Sequence, residues 1–139
     1  MTPVEALQKA LAGEHAAVYL YGLLGGQASE SRQPALFSRL TAAFESHRDA
    51  RDRLTVLISA KGVDPEAAEA DYMVPGPVAT PGQLEDVART IEGRVTRTYA
   101  ELVANTAGRD RREAITALDN SALRELGFGA PPGDFPGLG

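Results

Sequence analysis

Three side chains that can move a proton or hold a metal stand where a helical reading calls for apolar ones. In LAGEHAAVYLYG, residues 11–22, the stripe Val4, Leu7, Leu11, Val18 and Tyr21 is completed by Glu14 at alternating spacings of three and four. In the second apolar segment the stripe Phe37, Leu40, Phe44, His47, Arg51, Leu54, Ile58 places an imidazole and a guanidinium at core positions. In the third, Glu92 lies beside the face centred on Ala88, Val95 and Leu102. A buried carboxylate must neutralise, pair with a cation or bind a metal. Glu14, His47, Arg51 and Glu92 therefore define either a buried ion-pair network or a ligand site. Tyr21 is close enough along its helix to hydrogen-bond the same layer.

Four helices must position these groups. The first is expected over Pro3–Leu24, opened by a Thr2/Glu5 capping box with Pro3 at the first helical position and stopped by Gly25-Gly26. The second runs from Pro34 to Lys61, with Gly62 as its stop. A proline-rich connector follows over 62–79, with a short helical turn expected at 64–68. The third helix opens with Thr80-Pro81-Gly82-Gln83 and reaches about Thr106. The fourth spans Arg109–Leu126, with Ile115, Leu118, Ala122 and Leu126 inward. Residues 1–127 thus read as one bundle and 128–139 as a Pro/Gly-rich tail that Phe128, Phe135 and Leu138 are placed to pin. No alternating strand pattern competes, so the fold class is all-α: two antiparallel hairpins joined by a long crossover between helices 2 and 3.

That topology puts Glu14, near the middle of helix 1, level with residues 44–51, so Glu14, His47 and Arg51 share a layer that Glu92 joins from helix 3. Asp119 on helix 4 is the weakest candidate. In the structural reading, Glu14 and Glu92 divide Arg51 and His47 between them. In the binding reading, Arg51 holds the carboxylate of a small polar or anionic ligand.

The chain of 139 residues carries a net charge of −5, a pI near 5.0 and no cysteine. Disulfides and thiolate metal sites are excluded, and nucleic acid is not an expected partner. No stretch reaches the roughly 20 apolar residues of a membrane span. The start, Thr2-Pro3-Val4-Glu5, lacks the basic and apolar regions of a signal peptide, so a cytoplasmic location is expected.

Together, LAGEHAAVYLYGLLGG, SHRDARDRL, YMVPGPVATPG and the terminal FPGL resemble a family of small, alanine-rich bacterial ferritin-like domains of unknown function. The resemblance implies a ferritin-like four-helix bundle. In metal-binding members of that superfamily, helices 1 and 3 each give a Glu, and helices 2 and 4 each give a Glu-x-x-His pair. Glu14, His47 and Glu92 match. Phe44 replaces the helix 2 carboxylate, Glu45 is one residue out of phase, and helix 4 offers only Thr116 and Asp119. Half of the ligand set is missing, so the di-iron site reads as degenerate. The expected role is a non-catalytic binding or interaction module without cofactor. The alternative is a divergent oxidase or oxygen-handling enzyme with iron or manganese on Glu14, His47 and Glu92.

The remaining candidates are structural. His15 faces away from Glu14. Tyr19, Tyr21 and Tyr99 suggest radical chemistry, but Tyr21 and Tyr99 fit better as core aromatics whose hydroxyls find partners. Arg48–Asp52 is an i,i+4 surface pair. Gly25-Gly26 follows no strand, so it is not a phosphate loop. No Ser stands beside a base as a nucleophile. Ala6, Ala10, Ala17 and Leu20 form a smooth outer face on helix 1 that suits a homodimer contact.

Overall fold

A computed structural model describes residues 1–138, in four helices: α1 (Pro3–Gln27), α2 (Pro34–Ala60), α3 (Pro81–Asn105) and α4 (Gly108–Gly127). Both expected capping boxes form. Thr2 Oγ1 accepts from the Glu5 amide while Glu5 Oε2 accepts from the Thr2 amide, and Thr80 and Gln83 repeat the arrangement. Gly62, at φ +76°, ends α2 as expected. Gly25-Gly26 does not stop α1. The helix continues to Gln27, and the turn is made by Ser29, whose hydroxyl accepts from the Arg32 amide and whose carbonyl accepts from the Gln33 amide. Neither glycine adopts a positive φ, so nothing there unwinds the helix. The helical turn expected at 64–68 is also absent.

Side-chain pairings give the directions. Gly22 meets Phe44 while Glu14 meets His47, so α1 and α2 run antiparallel. Tyr21 reaches Glu92 while Tyr99 reaches Glu14, so α3 also opposes α1. Glu92 meets Arg124 and Val103 meets Arg111, so α4 opposes α3. Helices α2 and α3 are therefore parallel, and the connector must travel the length of the bundle. It climbs along α1. Gln8 accepts from the Glu66 amide and donates to the Asp64 carbonyl, a ring nitrogen of His15 lies 2.9 Å from the Glu66 carbonyl, and Tyr19 packs on Tyr72. His15 thus anchors the connector, in keeping with its outward face.

The helix α1 is the hub, packed on both α2 and α3, whereas α2 and α4 pack little on each other. Its small residues explain this: Gly13 lies against Thr98, and Ala6, Ala10, Ala17 and Leu20 are all buried inside the bundle. They face neighbouring helices, so they offer no surface to a second copy, and the homodimer loses the face proposed for it.

Helix α4 departs from its sequence reading. Ile115 and Leu126 are 41% and 42% exposed, and the buried positions are Ala114 and Ser121. The inward stripe is Ala114, Ala117, Ser121, Arg124 and Phe128, one position away from the most apolar one. The Arg48–Asp52 pair is replaced by Arg51–Asp52, and Arg48 lies over Phe44.

In the tail, Phe128 is buried beside Tyr21, but Phe135 and Leu138 are exposed. The tail is held instead by backbone approach. Arg89 donates to the Phe128 carbonyl, and Gly137, at φ +81°, lies so close to α3 that a Cβ would stand 2.7 Å from Ala100 Cβ and 2.8 Å from the Thr96 carbonyl oxygen. None of the described helices is long and apolar enough to cross a membrane. Gly137→Ala adds both a clash and a disfavoured φ. It is expected to raise hydrogen exchange throughout residues 129–138 and leave α1–α3 protected; unchanged tail protection would show that Gly137 does not dock it.

Candidate functional site

The polar layer forms at mid-bundle, and His47 is its centre. The imidazole is fully buried, with Nδ1 2.5 Å from Glu14 Oε2 and Nε2 2.7 Å from Glu92 Oε1. A neutral imidazole has one N–H and satisfies only one such contact, whereas the imidazolium donates to both. Burial opposes the charge. Hydrogen bonds and attraction from Glu14, then Glu92, outweigh it and raise the His47 pKa to about 9. Tyr21 stacks on the ring, with centroids 5.3 Å apart and planes 13° off parallel, a favourable placement for a cation.

Both oxygens of each carboxylate accept hydrogen bonds. Glu92 Oε1 accepts from His47, from the Tyr21 hydroxyl at 2.7 Å and from Arg124 Nε at 2.9 Å, and its Oε2 accepts from Ser121 at 2.7 Å. Burial alone would raise the Glu92 pKa; His47, Arg124 and Ser121 reverse that, and the net shift is downward. Glu14 Oε1 accepts from the Tyr99 hydroxyl at 2.6 Å. Burial and the neighbouring carboxylates push Tyr21 and Tyr99 well above the ordinary tyrosine range, so both remain donors. The layer thus sets two carboxylates against an imidazolium and a guanidinium. No buried side-chain polar atom among the described residues lacks a partner.

Of the expected residues, Glu14, His47, Glu92 and Tyr21 converge. Arg51 does not. Its guanidinium is at the surface on Asp52, with contacts of 2.9 and 3.0 Å. The antiparallel register sets it opposite the apolar Ala10–Leu11 turn of α1, where no carboxylate waits, so the long side chain reaches for water. Arg124 supplies the cation from α4. Asp119 and Thr116 are exposed and take no part. Ser121 and Arg124 escaped the sequence reading because α4 was phased on its apolar residues. Counting back from Phe128 by four and three recovers both. A second chain of hydroxyls, Ser121 and Thr96, continues from Glu92 to Glu125 at the surface.

The arrangement does not fit a di-metal centre. Glu14 and Glu92 lie at opposite ring nitrogens of His47, so no single point receives all three ligands. Phe44 and Ser121 stand where further ligands would be needed, and Arg124 brings a permanent charge to Glu92. Among the described residues no group of three or more His, Asp, Glu or Cys is placed to hold a metal ion. The layer offers no free base and no phenolate. What it leaves unengaged is the far end of Arg124: only Nε is committed, and the terminal nitrogens have no partner among the described residues.

These features define a small four-helix bundle whose centre is a closed, charge-balanced network. The chain belongs to the family described as a domain of unknown function (DUF4439), whose model matches residues 6–139. It is similar to a solved structure of a conserved hypothetical protein, rv2844, from Mycobacterium tuberculosis, at 30% identity, 91% coverage of this chain and 93% of that one, with a TM-score of 0.83. No curated protein matches it.

The raised His47 pKa makes stability pH-dependent. Between its ordinary 6.5 and about 9 the folded chain holds a proton that the unfolded chain gives up. Stability is therefore fully present below about 6.5 and lost as pH rises to about 9, by on the order of 3 kcal/mol. On the acid side the lowered Glu92 pKa stabilises above the ordinary carboxylate range and is lost as pH falls through the depressed value. Urea unfolding across this range should trace that plateau, and His47→Gln should remove the alkaline slope; a slope unchanged in His47→Gln would refute the assignment. Arg124→Ala is expected to cost about 2–4 kcal/mol, since it strips a cation from a buried carboxylate. Arg51→Ala should cost less than about 0.5 kcal/mol. Equal losses in the two variants would contradict the placement of Arg51 at the surface.

Proposed function

We propose that this chain is a non-catalytic binding module of ferritin-like descent that holds a small anion-bearing ligand on Arg124. The observation that carries the reading is the division of labour within that guanidinium. Its Nε is fastened to Glu92, which His47, Tyr21 and Ser121 hold in turn. Its terminal nitrogens have no partner among the described residues, and Arg124 lies in the wall of two adjoining cavities lined largely by α2 and α4. A planar fork of donors on a rigid mount suits a carboxylate or phosphate, because less side-chain entropy is lost on binding. Catalysis fits the site poorly. His47 is doubly engaged, both tyrosines are held protonated, and the carboxylates spend their lone pairs on internal donors. The ion pairs thus serve as scaffold, and the guanidinium they hold at the cavity wall serves as the receptor.

Titration with sodium acetate in large excess, read by amide NMR at constant ionic strength, is expected to shift residues 46–53 and 117–124 in the wild type. The shifts should vanish in Arg124→Gln. A spectrum that responds equally in the variant, or not at all in the wild type, removes Arg124 as the anion site.

A further inference from the structure

Two cavities of opposite character meet at Arg124. One, of about 170 Å³, has Glu14, Asp49, Arg53, Tyr99 and Asn120 in its wall. The other, of about 330 Å³, is lined mainly by Ala42, Ala43, Leu123, Gly127 and Phe128. Ser46 and Arg124 belong to both, so Arg124 stands where they adjoin. The larger chamber falls at the small end of the range for ligand pockets, roughly 300–1,000 Å³.

The charge of the polar wall narrows the ligand. It carries two guanidiniums, Arg53 and Arg124, and two carboxylates, Glu14 and Asp49. Both oxygens of Glu14 already accept, from Tyr99 and His47. The side chains of Asp49 and Arg53 make no hydrogen bond or ion pair with any described residue. The four charges of this wall sum to zero, so a bare anion on Arg124 would leave it with one net negative charge, whereas a ligand carrying both charges keeps the balance and offers Asp49 a partner. An apolar group adjoining the anion would enter the larger chamber.

We propose, resting on the anion-binding reading of Arg124, that the ligand is a free apolar α-amino acid. Its carboxylate sits on the Arg124 fork, its ammonium turns toward Asp49, and its side chain fills the space between Ala42, Leu123 and Phe128. A neutral zwitterion also leaves the balance of the wall unchanged.

Calorimetric titration of the full chain with L-phenylalanine, N-acetyl-L-phenylalanine, L-phenylalaninamide and glycine tests this. Phenylalanine is expected to bind, and each of the other three to bind at least about tenfold more weakly. Asp49→Asn should erase the preference over the N-acetyl compound. Ala42→Trp, at an exposed position that fills the apolar chamber, should erase the preference over glycine. Equal binding of N-acetyl-phenylalanine overturns the amino-acid assignment and leaves Arg124 as an anion site. Equal binding of the amide overturns both. No binding by any of the four overturns the assignment, and the acetate titration then decides the underlying reading by itself. Light scattering that finds a dimer dissociated by Ala42→Trp would assign the groove to a second copy and overturn the proposal.

Discussion

A protonated imidazole with a carboxylate at each nitrogen, sealed from water, is the constraint to which the bundle answers. Each ion in it would be costly alone. Glu14 comes from α1, His47 from α2, Glu92 and Tyr99 from α3, and Ser121 and Arg124 from α4, so all four helices meet at one level. A slip of one residue along any helix turns its member by about 100° and strands a charge in an apolar interior. Such networks add little net stability compared with a well-packed apolar layer, but they discriminate strongly between registers. The leucines and alanines around it supply the burial, and the polar layer selects which packing of them is acceptable.

The same saturation shapes the chemistry. A histidine that donates at both nitrogens is neither base nor ligand, and a tyrosine that donates to a buried carboxylate is held away from its phenolate. The metal-binding arrangement of ferritin-like bundles needs inward carboxylates and imidazoles with lone pairs aimed at a shared point. Here the carboxylate lone pairs accept instead from the His47 ring and from the tyrosine, serine and arginine donors around it. The network reaches the surface through Arg124, where α2 and α4 separate, and through the Ser121–Thr96–Glu125 chain toward the docked tail. The separation follows from the packing of α1, whose small residues let it lie close to α3 and α2 at once and leave the fourth seam of the bundle open.

Much of this was legible in residue spacing. Glu14 and His47 interrupt apolar stripes of strict three-four alternation, and a carboxylate or imidazole at such a position has no inexpensive alternative to being paired. Capping boxes at Thr2 and Thr80, the Gly62 stop and the proline-rich connector announced the helices and their order. The reading failed where the local signal was ambiguous. Gly25-Gly26 carries the composition of a stop, yet glycine ends a helix only if the chain turns there. On α4 the larger apolar side chains, Ile115 and Leu126 among them, mask the quieter stripe through Ala114, Ser121 and Arg124.

The amino-acid order alone determined an all-α chain of four amphipathic rods, their caps, and the presence of buried acid and imidazole at mid-length, because helical period and burial cost act within one segment. The choice of partner cation was made only in three dimensions. Arg51 and Arg124 are chemically identical, and each lies on a plausible stripe. Which one enters depends on what faces it across the bundle, an apolar turn of α1 in one case and the Glu92 carboxylate in the other. That depends on the packing distances and relative rotation of helices far apart in the chain, which no local pattern encodes.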